Sequence, residues 1–205
     1  TIEQSKVTVL LLASTMIVML IQHHGIDKHD YSSLRRIFYG MSPIPVGQLR
    51  KAISIFGPVF RQNYGLTEAH QPLTSLHPWE HKLDGNLKET ERLVSAGRRA
   101  LGVEIKLIDQ NGKQVSRGET GEIAVRANQG GCEYWGNPEE SKAVFRDEWI
   151  YHGDLGRIDE DGYLYIIGRV KDMIISGGYN VYPKEVEIVI DSIPGVKESA
   201  IIGTP

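Results

Sequence analysis

Between Thr1 and about Ser75, apolar helical runs alternate with short segments that read as buried strands. Leu34 to Tyr39 is such a strand, and Gly40, Met41, Ser42 and Pro43 form the loop after its end. Gly47 to Phe56 reads as a helix and Val59 to Asn63 as the next strand. That alternation points to parallel α/β structure, in which ligands sit beyond the carboxyl ends of the strands. The loops at Gly40 and Tyr64 fall at such ends. Val7 to Ile21 is the longest apolar run, but it is shorter than a membrane span requires and contains Thr8, Ser14 and Thr15. It reads as a buried helix. A signal peptide would need a basic start and a small-residue cleavage site, and the run is followed instead by Asp27, Lys28, His29 and Asp30.

From about Leu93 the pattern changes to short β-rich runs broken by turn residues. Val103 to Ile108, the turn Asp109 to Gly112 and Gly121 to Ala127 predict one hairpin. A second runs from Trp149 through Asp159, Glu160, Asp161 and Gly162 to Ile167, while Pro138 to Phe145 reads as a short helix opened by its proline. Together these predict a small antiparallel β-barrel or sandwich. Lys171 to Pro205 reads as a strand, a break at Gly177-Gly178, a helix near Pro183 and a strand near Ser199 to Gly203, the start of an α+β domain. The expected division is 1–92 for an α/β part, 93–168 for the barrel and 169–205 for the beginning of a C-terminal domain. The abrupt end after that last strand, and a start without Met, suggest a piece of something longer.

The composition, 40% hydrophobic and 24% charged over 205 residues, belongs to an ordinary globular chain. A net charge of -3 without a basic patch gives no reason to expect nucleic acid. One cysteine, Cys132, cannot form an internal disulfide and reads as structural, and the cytoplasm is the expected compartment.

Three segments carry chemistry. In Asn63-Tyr64-Gly65-Leu66-Thr67-Glu68 the glycine frees the backbone, Tyr64 offers a flat face to a base, Thr67 a hydroxyl to a phosphate and Glu68 a hard oxygen to Mg²⁺. For any one such hexamer the plainer alternative is a polar junction after a strand. Tyr151 to Gly156 sets Asp154 between two glycines, where a carboxylate can accept a pair of ribose hydroxyls; a turn aspartate is the commoner case. Arg169 and Lys171 follow the second hairpin, where a hinge and a cleft would coincide, or where a linker would simply be solvated. His23-His24 is a poor metal pair, because adjacent helical residues point apart, and surface positions suit them better. Asp159 to Gly162 resembles the start of a calcium loop without the later ligands and reads as a hairpin turn.

Taken in order, six segments resemble the adenylate-forming superfamily of acyl-CoA and aryl-CoA ligases, peptide-synthetase adenylation domains and beetle luciferase. They are Phe38 to Pro43, Tyr64 to Glu68, Gly118 to Ile123, Tyr134 to Glu139, Tyr151 to Leu155, and Gly168 to Glu187. Gly177 to Glu187 looks most like long-chain fatty acyl-CoA ligases. The resemblance implies an acyl-CoA synthetase-like fold, here incomplete, and a ligase using ATP, Mg²⁺ and coenzyme A on a carboxylic, in particular a fatty, acid. It implies that Gly40, Met41, Ser42 and Pro43, with Asn63, Tyr64 and Gly65, hold the adenine nucleotide, Thr67 the α-phosphate and Glu68 the metal. Asp154 and Arg169 would take the ribose hydroxyls, Lys171 would sit at the hinge of the C-terminal domain, and Gly178 would line the pantetheine tunnel. Peripheral membrane contact is compatible with that reading.

Some features depart from the family. Its phosphate loop would precede Thr1 and its adenylation lysine would follow Pro205, so this chain alone is expected to be inactive. His152 stands where Thr is usual, Tyr179 where Glu is common, and Glu133 where Gly is common. The rival functions are a peptide-synthetase adenylation domain and an inactive AMP-binding or interaction module.

Overall fold

The opening apolar run is divided between two elements and does not form one helix. Its first part is strand β1 (Val9–Ala13), and helix α1 (Ser14–Gln22) begins at the serine. Strand pairing accounts for the difference. β1 lies parallel to β2 (Arg36–Gly40), with Val9 opposite Arg36 and Ala13 opposite Gly40, so a neighbouring strand satisfies its backbone groups. Periodicity cannot distinguish a short buried strand from a helix inside such a run.

The structure, a computed structural model, describes residues 1–69, 72–128, 130–131, 133–191, 193, 195–196 and 199–204. Cys132 lies outside the described residues. The chain forms two units, Thr1–Gly102 and Val103–Pro205.

In the first unit, helix α2 (Val46–Phe56) connects β2 to β3 (Phe60–Gly65), and β3 runs parallel to β2 with Ile37 opposite Phe60 and Gly40 opposite Asn63. This is the expected parallel α/β arrangement. β4 (Pro72–Leu76) then returns antiparallel to β3. After a short helix α3 (Leu87–Glu91), β5 (Gly97–Arg99) adds antiparallel to β4. Leu49, Ala52, Ile53 and Phe56 fall at helical spacing on α2 and pack with Ile17, Ile21, Ile37, Tyr39 and Phe60 into one core. Each large side chain so buried contributes on the order of 1.5–3 kcal/mol.

One polar pair lies inside this unit. The Tyr39 hydroxyl is 2.9 Å from His81 Nε2, and His81 Nδ1 is 2.8 Å from the His77 carbonyl. A carbonyl only accepts, so Nδ1 carries the ring proton and Nε2 accepts from Tyr39. Burial pushes the His81 pKa down from 6.5 to about 4 and the Tyr39 hydroxyl up. The unfolded chain therefore binds a proton that the folded chain refuses between those two values. Stability is expected to be full above pH 6.5 and to fall by about 3 kcal/mol as pH drops to 4. Urea unfolding at a series of pH values checks this; His81→Phe should flatten that part of the profile, and an equally steep profile in the variant would assign the loss elsewhere.

The second unit contains β6 (Val103–Ile108), β7 (Thr120–Ala127), α4 (Pro138–Val144), β8 (Phe145–Arg146), β9 (Trp149–Ile158) and β10 (Tyr163–Arg169). Its sheet is antiparallel in the order β10-β9-β7-β6, with β8 beside β9. Both expected hairpins form. Asp159 turns the second by accepting the Tyr163 N–H, so 159–162 is a hairpin turn. Asn137 caps α4 through the Glu140 N–H, with Pro138 in the first turn.

The expected barrel does not close, because among the described residues β6 pairs with β7 and not with β10.

Beyond β10, β11 (Ile174–Ser176) and β12 (Tyr179–Val181) make a two-stranded hairpin, and α5 (Pro183–Asp191) follows. Residues 199–204 form no strand. Side chains of α5 take polar groups there instead: Asp191 accepts the Ser199 hydroxyl at 2.7 Å and Glu187 the Ile201 N–H at 3.2 Å. Among the described residues no helix is long and apolar enough to cross a membrane, and His23 and His24 are exposed.

Candidate functional site

Two groups of the expected residues are assembled, one in each unit. In the first unit the adjacent parallel strands β2 and β3 end side by side, with Gly40 opposite Asn63. A side chain at residue 40 would place its Cβ 2.2 Å from the Asn63 carbonyl oxygen, so glycine is required for the strands to approach. The chain then turns out through Met41, which adopts φ 70° and is 84% exposed. A non-glycine residue in that conformation is strained and persists only where its surroundings fix it. The buried Ser14 hydroxyl does so, donating to the Ser42 carbonyl at 2.6 Å and lying 3.3 Å from that of Gly40. Ser14 carried no chemical signal in the sequence, being one polar residue within an apolar run.

From β3 the chain passes through Tyr64 and Gly65 into a single 3-10 turn, Thr67–Ala69. Ala69 is buried and anchors that turn, Thr67 is exposed and Glu68 is half-buried. The Asn63 side-chain oxygen accepts the Ser75 hydroxyl at 2.7 Å, so it is engaged by β4 across the sheet. No group of three His, Cys, Asp or Glu suited to a metal occurs among the described residues. A nucleotide-bound Mg²⁺ does not need one, since it commonly takes one or two carboxylates with phosphates and water. Glu68 fits that donor set.

In the second unit, two irregularities in the ladder bring Asp154 and Arg169 together. Between β7 and β9, Glu122 faces Leu155 and Ala124 faces Tyr151, so His152, Gly153 and Asp154 bulge opposite Ile123 alone. Between β10 and β9, Ile166 faces Gly156 but Gly168 faces Leu155, so the extra residue Ile167 moves Arg169 opposite Asp154. Asp154 is 7% exposed, and its Oδ1 accepts Arg169 Nε at 3.2 Å. The bulge re-aims a carboxylate that a regular strand would point elsewhere. Lys171 follows in an exposed 3-10 turn, Val170–Asp172, and Gly178, at φ 84°, occupies the exposed β11–β12 turn.

Comparison with known proteins identifies the family. The pattern defining the AMP-binding enzyme family matches residues 1–135. The medium/long-chain-fatty-acid–CoA ligase FadD8 of Mycobacterium tuberculosis is 40% identical over 100% of this chain and 34% of its own length. The fatty acid–[acyl-carrier-protein] ligase ScoC of Streptomyces coeruleorubidus is 36% identical over 100% of this chain and 38% of its own. Among solved structures, the amide bond synthetase McbA of Marinactinospora thermotolerans superposes with a TM-score of 0.90 at 35% identity, over 100% of this chain and 40% of that one. The o-succinylbenzoate CoA synthetase of Bacillus subtilis, in complex with its acyl-adenylate intermediate, gives 0.84 at 32% identity, over 100% and 40%. The chain thus spans 34% to 40% of the length of these relatives. With more than half of its residues matching that pattern, the chain belongs to the AMP-binding enzyme family.

Proposed function

We propose that the full-length protein joins a carboxylic acid, in the first place a fatty acid, to coenzyme A by way of an acyl-adenylate. The observation that carries this reading is the pairing of Gly40 with Asn63, which sets the 40–43 loop beside the Tyr64 to Glu68 segment at the carboxyl ends of two parallel strands. In the first unit, the backbone of Gly40 to Pro43 and the ring of Tyr64 hold adenine, with Asn63 and Gly65 shaping that wall. Thr67 binds the α-phosphate. In the second unit, Asp154 accepts the ribose hydroxyls while Arg169 holds its carboxylate. Lys171 serves as the hinge of a C-terminal domain beginning near 169, and Gly178 leaves room for pantetheine. A cytoplasmic location goes with this chemistry.

A carboxylate is a poor electrophile. Its oxygen attacks the α-phosphorus of ATP, the bond to the β-phosphate oxygen breaks and pyrophosphate leaves. The thiol sulfur of coenzyme A then attacks the acyl carbon, AMP departs and the thiol proton is lost to solvent. Glu68 would hold a magnesium ion, which would supply neutralisation of charge on the phosphates. Thr67 orients the α-phosphate for the carboxylate's attack.

The test is carboxylate-dependent exchange of labelled pyrophosphate into ATP by the full-length protein, followed by addition of coenzyme A, an acyl-carrier protein or an amine. Exchange with fatty acids and release of acyl-CoA is the expected result. Exchange with amino acids alone, or with no acid, would overturn it.

A further inference from the structure

We infer that His152 is a positioning residue, whose ring captures the backbone of Asp154 and so fixes where the bulge in β9 delivers its carboxylate. The inference rests on the ribose-binding role proposed above for Asp154. Three residues facing one make the β7–β9 ladder irregular here, while Asp154 stays opposite Arg169 on β10. His152 adds a contact within the bulge. Its side chain is only 7% exposed, and its Nδ1 accepts the Asp154 N–H at 3.3 Å. Gly153 lies between them at φ 84°, the left-handed conformation that turns the N–H of one residue back toward the side chain two positions earlier. Asparagine makes the same closure through its side-chain oxygen, which stands two bonds beyond Cβ just as the imidazole Nδ1 does.

The geometry also fixes the tautomer. A backbone N–H always donates, so Nδ1 must offer its lone pair and the ring proton resides on Nε2. The same Nδ1 is 3.4 Å from Asp154 Oδ2, and Arg169 holds the other carboxylate oxygen, Oδ1. The two partners constrain different parts of one residue: His152 the main chain, Arg169 the side chain. The imidazole thereby does the work of a small backbone-capturing side chain at this position.

Two measurements on the full-length protein test this. In pyrophosphate exchange, His152→Leu should raise KM for ATP by about 10-fold and leave KM for the acid unchanged, because a partly buried N–H loses its acceptor. His152→Asn, which restores an acceptor at the same reach, should stay within about threefold of wild type. Equal impairment of both variants, or of neither, would overturn the inference. Nitrogen-15 NMR of labelled histidine in the wild type should find the δ1 nitrogen of the neutral His152 ring unprotonated, and a neutral ring protonated at δ1 would refute the capture even if His152→Leu failed to fold. Failure of the wild type to exchange with any acid would strike the functional reading instead, leaving the tautomer to be judged by itself.

Discussion

Asp154→Asn in the full-length protein is expected to lower kcat/KM for ATP about 100-fold with little change in the unfolding midpoint, as befits the loss of charge-assisted hydrogen bonds. The substitution is isosteric. An amide oxygen at the Oδ1 position can still accept Arg169 Nε, which now sits 3.2 Å away, and the 154 N–H still meets His152. The bulge and its ladder should therefore survive. What is lost is the negative charge that accepts two ribose hydroxyls at once, since the amide presents a donor to one of them. Binding of 2′,3′-dideoxy-ATP separates the two effects: wild type should lose most of its advantage over the variant with this ligand. A variant that binds ATP as wild type does would show that Asp154 merely closes a turn.

The second large effect is expected at Glu68. Glu68→Gln should slow acyl-adenylate formation by roughly 10²–10³-fold, the range seen when one charge-stabilising group is removed from a transition state. Glu68 is half-buried in a one-turn element whose next residue, Ala69, is buried, so the amide will occupy the same place without disturbing the fold. The change removes a hard anionic oxygen and leaves volume unaltered. Single-turnover formation of acyl-AMP, followed across magnesium concentrations, is the appropriate measurement. The variant should need more magnesium and still fall short at saturation. An unchanged rate with unchanged magnesium dependence would remove Glu68 from the reaction.

How far the sequence could be read depended on whether a segment's structure is decided locally. Val103 to Ile108 was legible to the residue, because a β-rich run bounded by a turn sequence leaves little choice. Helix α2 was legible for the same reason, its apolar residues lying at helical spacing up to Gly57. Val9 to Ala13 was not, because only the neighbouring β2 decides that it extends. β4 and β5 escaped too: Pro72-Leu73-Thr74-Ser75-Leu76 and Gly97-Arg98-Arg99 carry no pattern of their own and are strands by virtue of pairing. In the site, motif order located the loops at Gly40 and Tyr64 and the segment around Asp154. The partnership of Asp154 with Arg169, fifteen positions on, depends on one extra residue in β10, and nothing in the sequence marks Ile167 as extra. Ser14 and His81 were invisible because their importance is a matter of what they reach across the fold.

The bulge in β9 also governs which changes of length this segment can tolerate. Relative to β7 the strand carries an even surplus, three residues against one, so Ile150 opposite Val125 and Gly156 opposite Gly121 still face the same way. Deleting a single residue from 152–154 would invert everything before it, turning Tyr151 inward and the buried Ile150 outward. Deleting two would restore a plain ladder and take the acid's placement with it. Descendants of this gene are therefore barred here from the insertions and deletions by which most surface turns diverge.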